Sequence, residues 1–226
     1  MSNTTYIITG VGGALAGGIA ERLADEGSRV IGLSRNNPNI DKIEFFEMDL
    51  SDEDSIENAV KQFESSLGNE PVFLLNIASV MRKFNIEKGE IARVYSSNVM
   101  GEIYLTSMLL EKIKETEGDV LNVSSTAGTK GVSKEPIYSS SKWAVRGFTK
   151  SLQEQFKDTK CRAIDFAIGG FISKMAEKAG LPGFTDTSVK PNEWIPLEDV
   201  IDLLYTVLHV PKSIQVSELV ADRKKR

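Results

Sequence analysis

Tyr138 and Lys142 stand four positions apart in a chain of 226 residues. On a helix that spacing puts both side chains on one face. An ammonium beside a phenol favours the phenolate and lowers its pKa toward neutrality. Such a tyrosine exchanges a proton with a carbonyl or alcohol oxygen, the step that must accompany hydride transfer to or from the attached carbon. The pair means little by itself, because tyrosine and lysine are common enough to fall at this spacing by chance. Ser125 gives it context. It follows the strand-like run Asp119–Ser124, and open α/β sheets bind ligands at the C-terminal edge of their strands. A hydroxyl there is placed to hydrogen-bond the same substrate oxygen.

A second segment with chemistry opens the chain: Thr9-Gly10-Val11-Gly12-Gly13-Ala14-Leu15-Ala16-Gly17-Gly18. It lies between an N-terminal strand-like run and an amphipathic helix-like run. Glycines there allow a tight turn, and the helix presents free N–H groups and its positive dipole end to a pyrophosphate. Gly10, Gly12, Gly13, Ala14 and Leu15 are the predicted contacts. Nucleotide folds that take NAD often end the second strand in an acid that holds the ribose 2′-OH. Here the run is Leu33-Ser34-Arg35-Asn36. A guanidinium in place of the acid suits a 2′-phosphate, so Ser34 and Arg35 predict NADP(H) in preference to NAD(H).

The elements that must position these residues alternate. Strand-like runs are Thr5–Thr9, Arg29–Leu33, Ile43–Glu47, Val72–Asn76, Asp119–Ser124, Arg162–Ala167 and Ile214–Val220. Helix-like runs are Leu15–Glu26, Asp52–Ser65, Glu90–Glu115, Pro136–Lys157 and one from Pro196 or Leu197 to His209. This alternation predicts an α/β fold: a doubly wound, Rossmann-type parallel sheet of about seven strands with helices on both faces. Length and the absence of a linker or repeat predict one domain over 1–226. The Gly-, Pro-, Lys- and Thr-rich stretch at about 171–195 reads as a substrate loop.

Taken together, these residues resemble the short-chain dehydrogenase/reductase family in its classical branch, from Thr4 to about Val220. Asn122-Val123-Ser124-Ser125-Thr126-Ala127-Gly128 is similar to the family's serine motif. Tyr138-Ser139-Ser140-Ser141-Lys142 is similar to its Tyr-Lys motif, and Asn98-Val99-Met100-Gly101 to its long-helix segment. The resemblance implies that Tyr138 is the acid/base and that Ser125 positions the substrate oxygen. It implies that Lys142 lowers the tyrosine pKa and binds the nicotinamide ribose, while Asn98 holds a relay water. It also implies adenine contacts at Asp49-Leu50, cofactor contacts at Asn76 and Ala78, and a carboxamide contact near Gly170 and Ile172. Ala14 and Ala16 replace two glycines of the family's turn, Ile77 and Ser79 replace an Asn and a Gly, and Gly169-Gly170 stands in place of Pro-Gly. The implied partner copies, a homodimer or homotetramer, contact through the helices Glu90–Glu115 and after Pro136.

Composition excludes other classes. With 27 basic and 32 acidic residues the net charge is −5, which gives no reason to expect nucleic acid or an anionic membrane as partner. Cys161 is the only cysteine and His209 the only histidine, too few for a typical zinc site, so no metal is predicted. The basic end Arg223-Lys224-Lys225-Arg226 reads as solvated. No leader and no bilayer-length apolar run is visible, which predicts the cytoplasm. The expected reaction is NADPH-dependent reduction of a ketone or aldehyde, or the reverse. A non-catalytic cofactor-binding protein on the same fold, or an epimerase or dehydratase, are the alternatives. Val80, Met81, Phe84, Leu181, Phe184 and Trp194 are candidate pocket residues that favour a partly apolar small-molecule substrate. Lys83, Lys174 and Lys178 read as solvated.

Overall fold

The structure, a computed structural model, describes residues 4–81, 86, 88–133, 135–171 and 194–224. The strands are β1 (Thr5–Thr9), β2 (Arg29–Ser34), β3 (Glu44–Glu47), β4 (Val72–Asn76), β5 (Asp119–Ser125), β6 (Arg162–Ile168) and β7 (Glu218–Ala221). They form one sheet in the order β3-β2-β1-β4-β5-β6-β7, every pairing parallel. The order reverses between β1 and β4, which opens a crevice at their C-terminal ends.

The described helices are α1 (Ala14–Asp25), α2 (Glu53–Phe63), α3 (Lys88–Tyr95), α4 (Gly101–Glu115), α5 (Pro136–Phe156) and α6 (Leu197–Leu208). Side-chain alternation along the strands divides the core in two. Ile7, Ile31, Leu74 and Val120 pack with residues of α2, α4 and α5, whereas Tyr6, Ile8, Leu75 and Phe166 pack with α1 and α6. Both faces of the sheet are covered, as continuous apolar strands such as Val72–Asn76 require. No described helix is long and apolar enough to cross a membrane.

Two elements differ from the sequence expectation. The long helix Glu90–Glu115 is interrupted by a π turn, Ser96–Met100, between α3 and α4. Asn98 sits in that turn with its amide held by the Val80 backbone, and the widened register carries it inward. The last strand begins at Glu218 rather than Ile214. The Ile214 N–H closes a turn onto Pro211 (2.9 Å) and its carbonyl accepts from the Arg162 guanidinium (3.2 Å), so neither enters the ladder.

Candidate active site

A cleft of ≈ 1150 Å³ lies along the C-terminal edge of the sheet. Of the sequence-predicted site residues, Gly10, Gly12, Gly13, Ala14, Leu15, Ser34, Arg35, Asp49, Leu50, Ala78, Ser125, Tyr138, Lys142 and Gly170 line it. Asn76 and Asn98 do not. Strand alternation turns Asn76 away from the cleft, and its amide bonds Thr106 and Asn122 in the layer between sheet and helices. Ile172, Phe84, Leu181, Phe184, Lys83, Lys174, Lys178 and nearly all of the predicted substrate loop lie outside the described residues. Val80, Met81 and Trp194 line the cleft.

Thr9 sets the glycine turn. Its hydroxyl accepts from the N–H groups of Ile77 (3.0 Å) and Ala78 (3.1 Å), which draws the ends of β1 and β4 together. Gly10 then lies against Ala78 at φ +78°, and a methyl added there would come 2.8 Å from the Ala78 Cα. From this turn α1 follows with Gly13 at its N-cap position, no side-chain capping bond and no acid in its first turn. Its leading N–H groups and positive dipole end therefore face the cleft unneutralised, beside the exposed Gly12. Ala14 and Ala16 both line the cleft, and Ala16, 2% exposed, is also part of the core beneath the turn. These residues fit a pyrophosphate.

The reacting centre is built by α5 docking on the end of β5. Ser139 donates to the Ala127 carbonyl (2.6 Å) and the Arg146 guanidinium to the Gly128 carbonyl (2.9 Å). These bonds tie the helix to the loop that follows Ser125, and the Ser125 hydroxyl itself caps that loop by accepting from the Ala127 N–H (3.1 Å). Tyr138 is half-buried in the cleft wall. Burial pushes its phenol up to about 12, against hydrogen bonding from Ser125 and from Ser79, while Glu135 adds to the rise. The Ser79 oxygen is buried and faces the phenol without closing a hydrogen bond of normal geometry.

The Lys142 ammonium donates to the Val123 carbonyl (2.8 Å) and lies 5.9 Å from the Tyr138 ring centre. The lysine is itself 1% exposed, and burial pushes its pKa down against the opposing charges of Glu102 and Asp165.

At the far end of the cleft Asp49 accepts from the Ser51 N–H (2.9 Å) and hydroxyl (2.7 Å). Burial pushes its carboxyl up, but the Ser51 bonds and then Arg35 and Arg93 outweigh it, and the net shift is downward. Ser34 donates to the Asn36 carbonyl (2.7 Å), shaping the loop that carries Arg35. Among the described residues no cluster of three or more His, Cys, Asp or Glu side chains is placed to hold a metal.

The model of the short chain dehydrogenase family matches residues 4–182. The chain belongs to that family. This short-chain dehydrogenase is 22% identical to an uncharacterized oxidoreductase of Staphylococcus saprophyticus, over 97% of each chain. Its fold is similar to that of a serine dehydrogenase complexed with NADP+ (TM-score 0.83, 20% identity, 96% of this chain and 94% of the other). It is also similar to a 4-hydroxyisoleucine dehydrogenase complexed with NADH (TM-score 0.82, 19% identity, 98% and 97%). The short-chain dehydrogenase is thus an oxidoreductase dependent on a nicotinamide cofactor.

Sequence reasoning missed three residues. Arg93 comes from α3 to the wall near Arg35, Ser79 faces Tyr138, and Glu102 is a buried acid whose charge opposes the lowering of the Lys142 pKa. Only Glu102 carried a local signal: an acid one turn after Asn98, on the face of a helix that must be buried.

Proposed function

We propose that this short-chain dehydrogenase reduces the carbonyl of a small, partly apolar ketone or aldehyde with NADPH, or oxidises the matching alcohol, as one domain over residues 1–226. The convergence of the Ser125 and Tyr138 hydroxyls in the cleft, with Lys142 buried behind them, carries this reading. Nicotinamide supplies or accepts the hydride when bound. Ser125 orients the substrate oxygen, and Tyr138 gives that oxygen a proton as charge develops on it. A phenol at about 12 holds its proton throughout the neutral range, so the acid form needed for reduction is fully present there. The reverse reaction needs the phenolate and gains as pH rises. Lys142 holds the ribose hydroxyls and supplies positive potential. Asn98 acts through structure, fixing the Val80 segment next to Ser79. Val80, Met81, Phe171 and Trp194 give the substrate's apolar part its wall.

The preference for NADP(H) rests on Arg35 and Arg93 at one end of the cleft. Neither has a salt bridge among the described residues. Losing a charge-assisted bond to a phosphate costs about 1.5–3 kcal/mol. Arg35→Ala is therefore expected to weaken NADPH binding roughly 10- to 100-fold and to leave NADH binding nearly unchanged, read by titrating each cofactor. Tighter NADH than NADPH binding in the wild type would reverse the assignment. A screen of ketones and aldehydes with the preferred cofactor tests the activity, and tight cofactor binding with no turnover of any of them would favour a non-catalytic role.

Met100, Ile103 and Trp143 expose large apolar side chains at the start of α4 and on α5. A second copy of the chain is the proposed cover for them, as a homodimer or homotetramer. Light scattering at micromolar concentration should give a multiple of 24.9 kDa, and a monomer mass removes this part of the reading.

A further inference from the structure

Ser125 is held by its neighbours on both sides in the chain, and both holds lead to one buried acid. Asp165 on β6 is 1% exposed. Its Oδ1 accepts from the hydroxyl of Ser124, the residue before Ser125. Its Oδ2 forms an ion pair with Arg146 Nε of α5 (2.9 Å). Arg146 Nη1 donates in turn to the carbonyl of Gly128 (2.9 Å), in the loop that follows Ser125. Arg146 Nη2 pairs with Glu218 at the start of β7. Each nitrogen of the guanidinium thus has its own partner, as has each oxygen of Asp165. The loop also sits directly on the helix that carries Lys142. A methyl added at Gly128 would come 2.9 Å from the Lys142 carbonyl oxygen. Asp165 and Arg146 are not among the residues that line the cleft.

We propose that Asp165 is a positioning residue, whose two carboxylate oxygens bracket Ser125 and hold its hydroxyl in place beside Tyr138. An acid is needed because both of its partners are donors. An amide has one accepting oxygen. Kept on Ser124, it turns its NH2 group on the guanidinium; kept on Arg146, it takes the acceptor from the Ser124 hydroxyl. The opposite end of the same strand pair supplies a control. Asp119, the first residue of β5, is 2% exposed and is held by Arg162 Nη2 (2.8 Å), Arg162 Nε (3.0 Å) and Lys212. It is as buried and as well paired as Asp165, but it lies about 20 Å from Ser125 along an extended strand. Loss of either carboxylate leaves a buried guanidinium unpaired and lowers stability. Only Asp165 bears on Ser125.

The catalytic role of Ser125 rests on the proposed function, but the first readout does not. The Ala127 N–H donates to Ser125 Oγ, so its hydrogen exchange, followed by NMR in the full chain, reports how firmly Ser125 is held. In Asp165→Asn the Ala127 amide should exchange about tenfold or more faster relative to the core amides of β4. In Asp119→Asn that ratio should stay within about twofold, because a loss of stability alone moves both sets of amides together. Ser124→Ala keeps the ion pair with Arg146 and removes one side of the bracket. It should raise the ratio about threefold or more, and it carries the test if Asp165→Asn does not fold. An unchanged ratio, or an equal rise in Asp119→Asn, overturns the proposal. Where turnover is measurable, Asp165→Asn should lower kcat about 10- to 100-fold, the scale of a displaced catalytic group, with cofactor affinity within about twofold. Asp119→Asn should keep kcat within about twofold at a comparable thermal midpoint. Matched losses of kcat in the two variants mark Asp165 as merely structural and also overturn the proposal. A raised exchange ratio without turnover of any carbonyl or alcohol leaves the proposal standing and removes the proposed function.

Discussion

Tyr138→Phe is expected to lower turnover of a carbonyl substrate by about 10²- to 10⁴-fold, the usual contribution of a positioned acid or base. The change removes one hydroxyl and keeps the half-buried ring that forms the cleft wall. Ser125 keeps its bond from the Ala127 N–H, and α5 keeps its ties to that loop through Ser139 and Arg146. Cofactor affinity and thermal midpoint should therefore move little. The informative comparison is kcat for oxidation of the reduced nicotinamide cofactor against that cofactor's dissociation constant in the same variant. Since the wild-type phenol sits at about 12 in the cleft, carbonyl reduction should stay flat from acid to neutral pH and fall only toward strongly alkaline pH. Undiminished turnover in the Phe variant, or a reduction rate that rises with pH, would remove Tyr138 from the chemistry.

Gly10→Ala is expected to damage stability and cofactor binding together. An L-residue at φ +78° costs about 1–2 kcal/mol in backbone strain. The added methyl also meets the Ala78 Cα at 2.8 Å and its Cβ at 3.0 Å, and overpacking of that kind costs roughly 1–3 kcal/mol more. Thr9 prevents an easy escape, because its hydroxyl holds both Ile77 and Ala78 in place. Gly27 supplies the control. It has φ +86° and no atom within 4 Å of an added Cβ, so Gly27→Ala carries the strain without the collision. At about 2–4 °C per kcal/mol for a chain of this size, Gly10→Ala should melt roughly 5–15 °C lower and lose affinity for the nicotinamide cofactor. Gly27→Ala should melt only a few degrees lower and bind as the wild type does. Equal losses in the two variants would mean that the close approach to Ala78 contributes nothing.

The strands β1 and β4 have the bounds that their apolar, β-rich runs Thr5–Thr9 and Val72–Asn76 predict. Such runs are legible because burial on both faces leaves an unbroken apolar pattern. The π turn at Ser96–Met100 was not, since a slipped hydrogen-bond register leaves the helical period of side chains nearly intact. The late start of β7 depends on the Arg162 guanidinium, which comes from another strand. The motif residues around the cleft were legible where local spacing carries them, as with Gly10 to Leu15, Ser125, Tyr138 and Lys142. Arg93 and Ser79 reach the cleft only because α3 and the segment after β4 fold beside it.

The sequence by itself determined the order and type of the elements and placed a phenol, an amine and a hydroxyl at spacings suited to proton exchange with a carbonyl. Those are properties of local periodicity and of short spacings along one helix or one turn. The tertiary structure decided the ionisation of these groups. Burial sets the Tyr138 phenol above its ordinary value, the Val123 carbonyl holds the Lys142 ammonium, and burial pushes that lysine down against the charges of Glu102 and Asp165 on other elements. Desolvation and long-range charge depend on what surrounds a group in space, and the order of residues along a chain does not contain that directly.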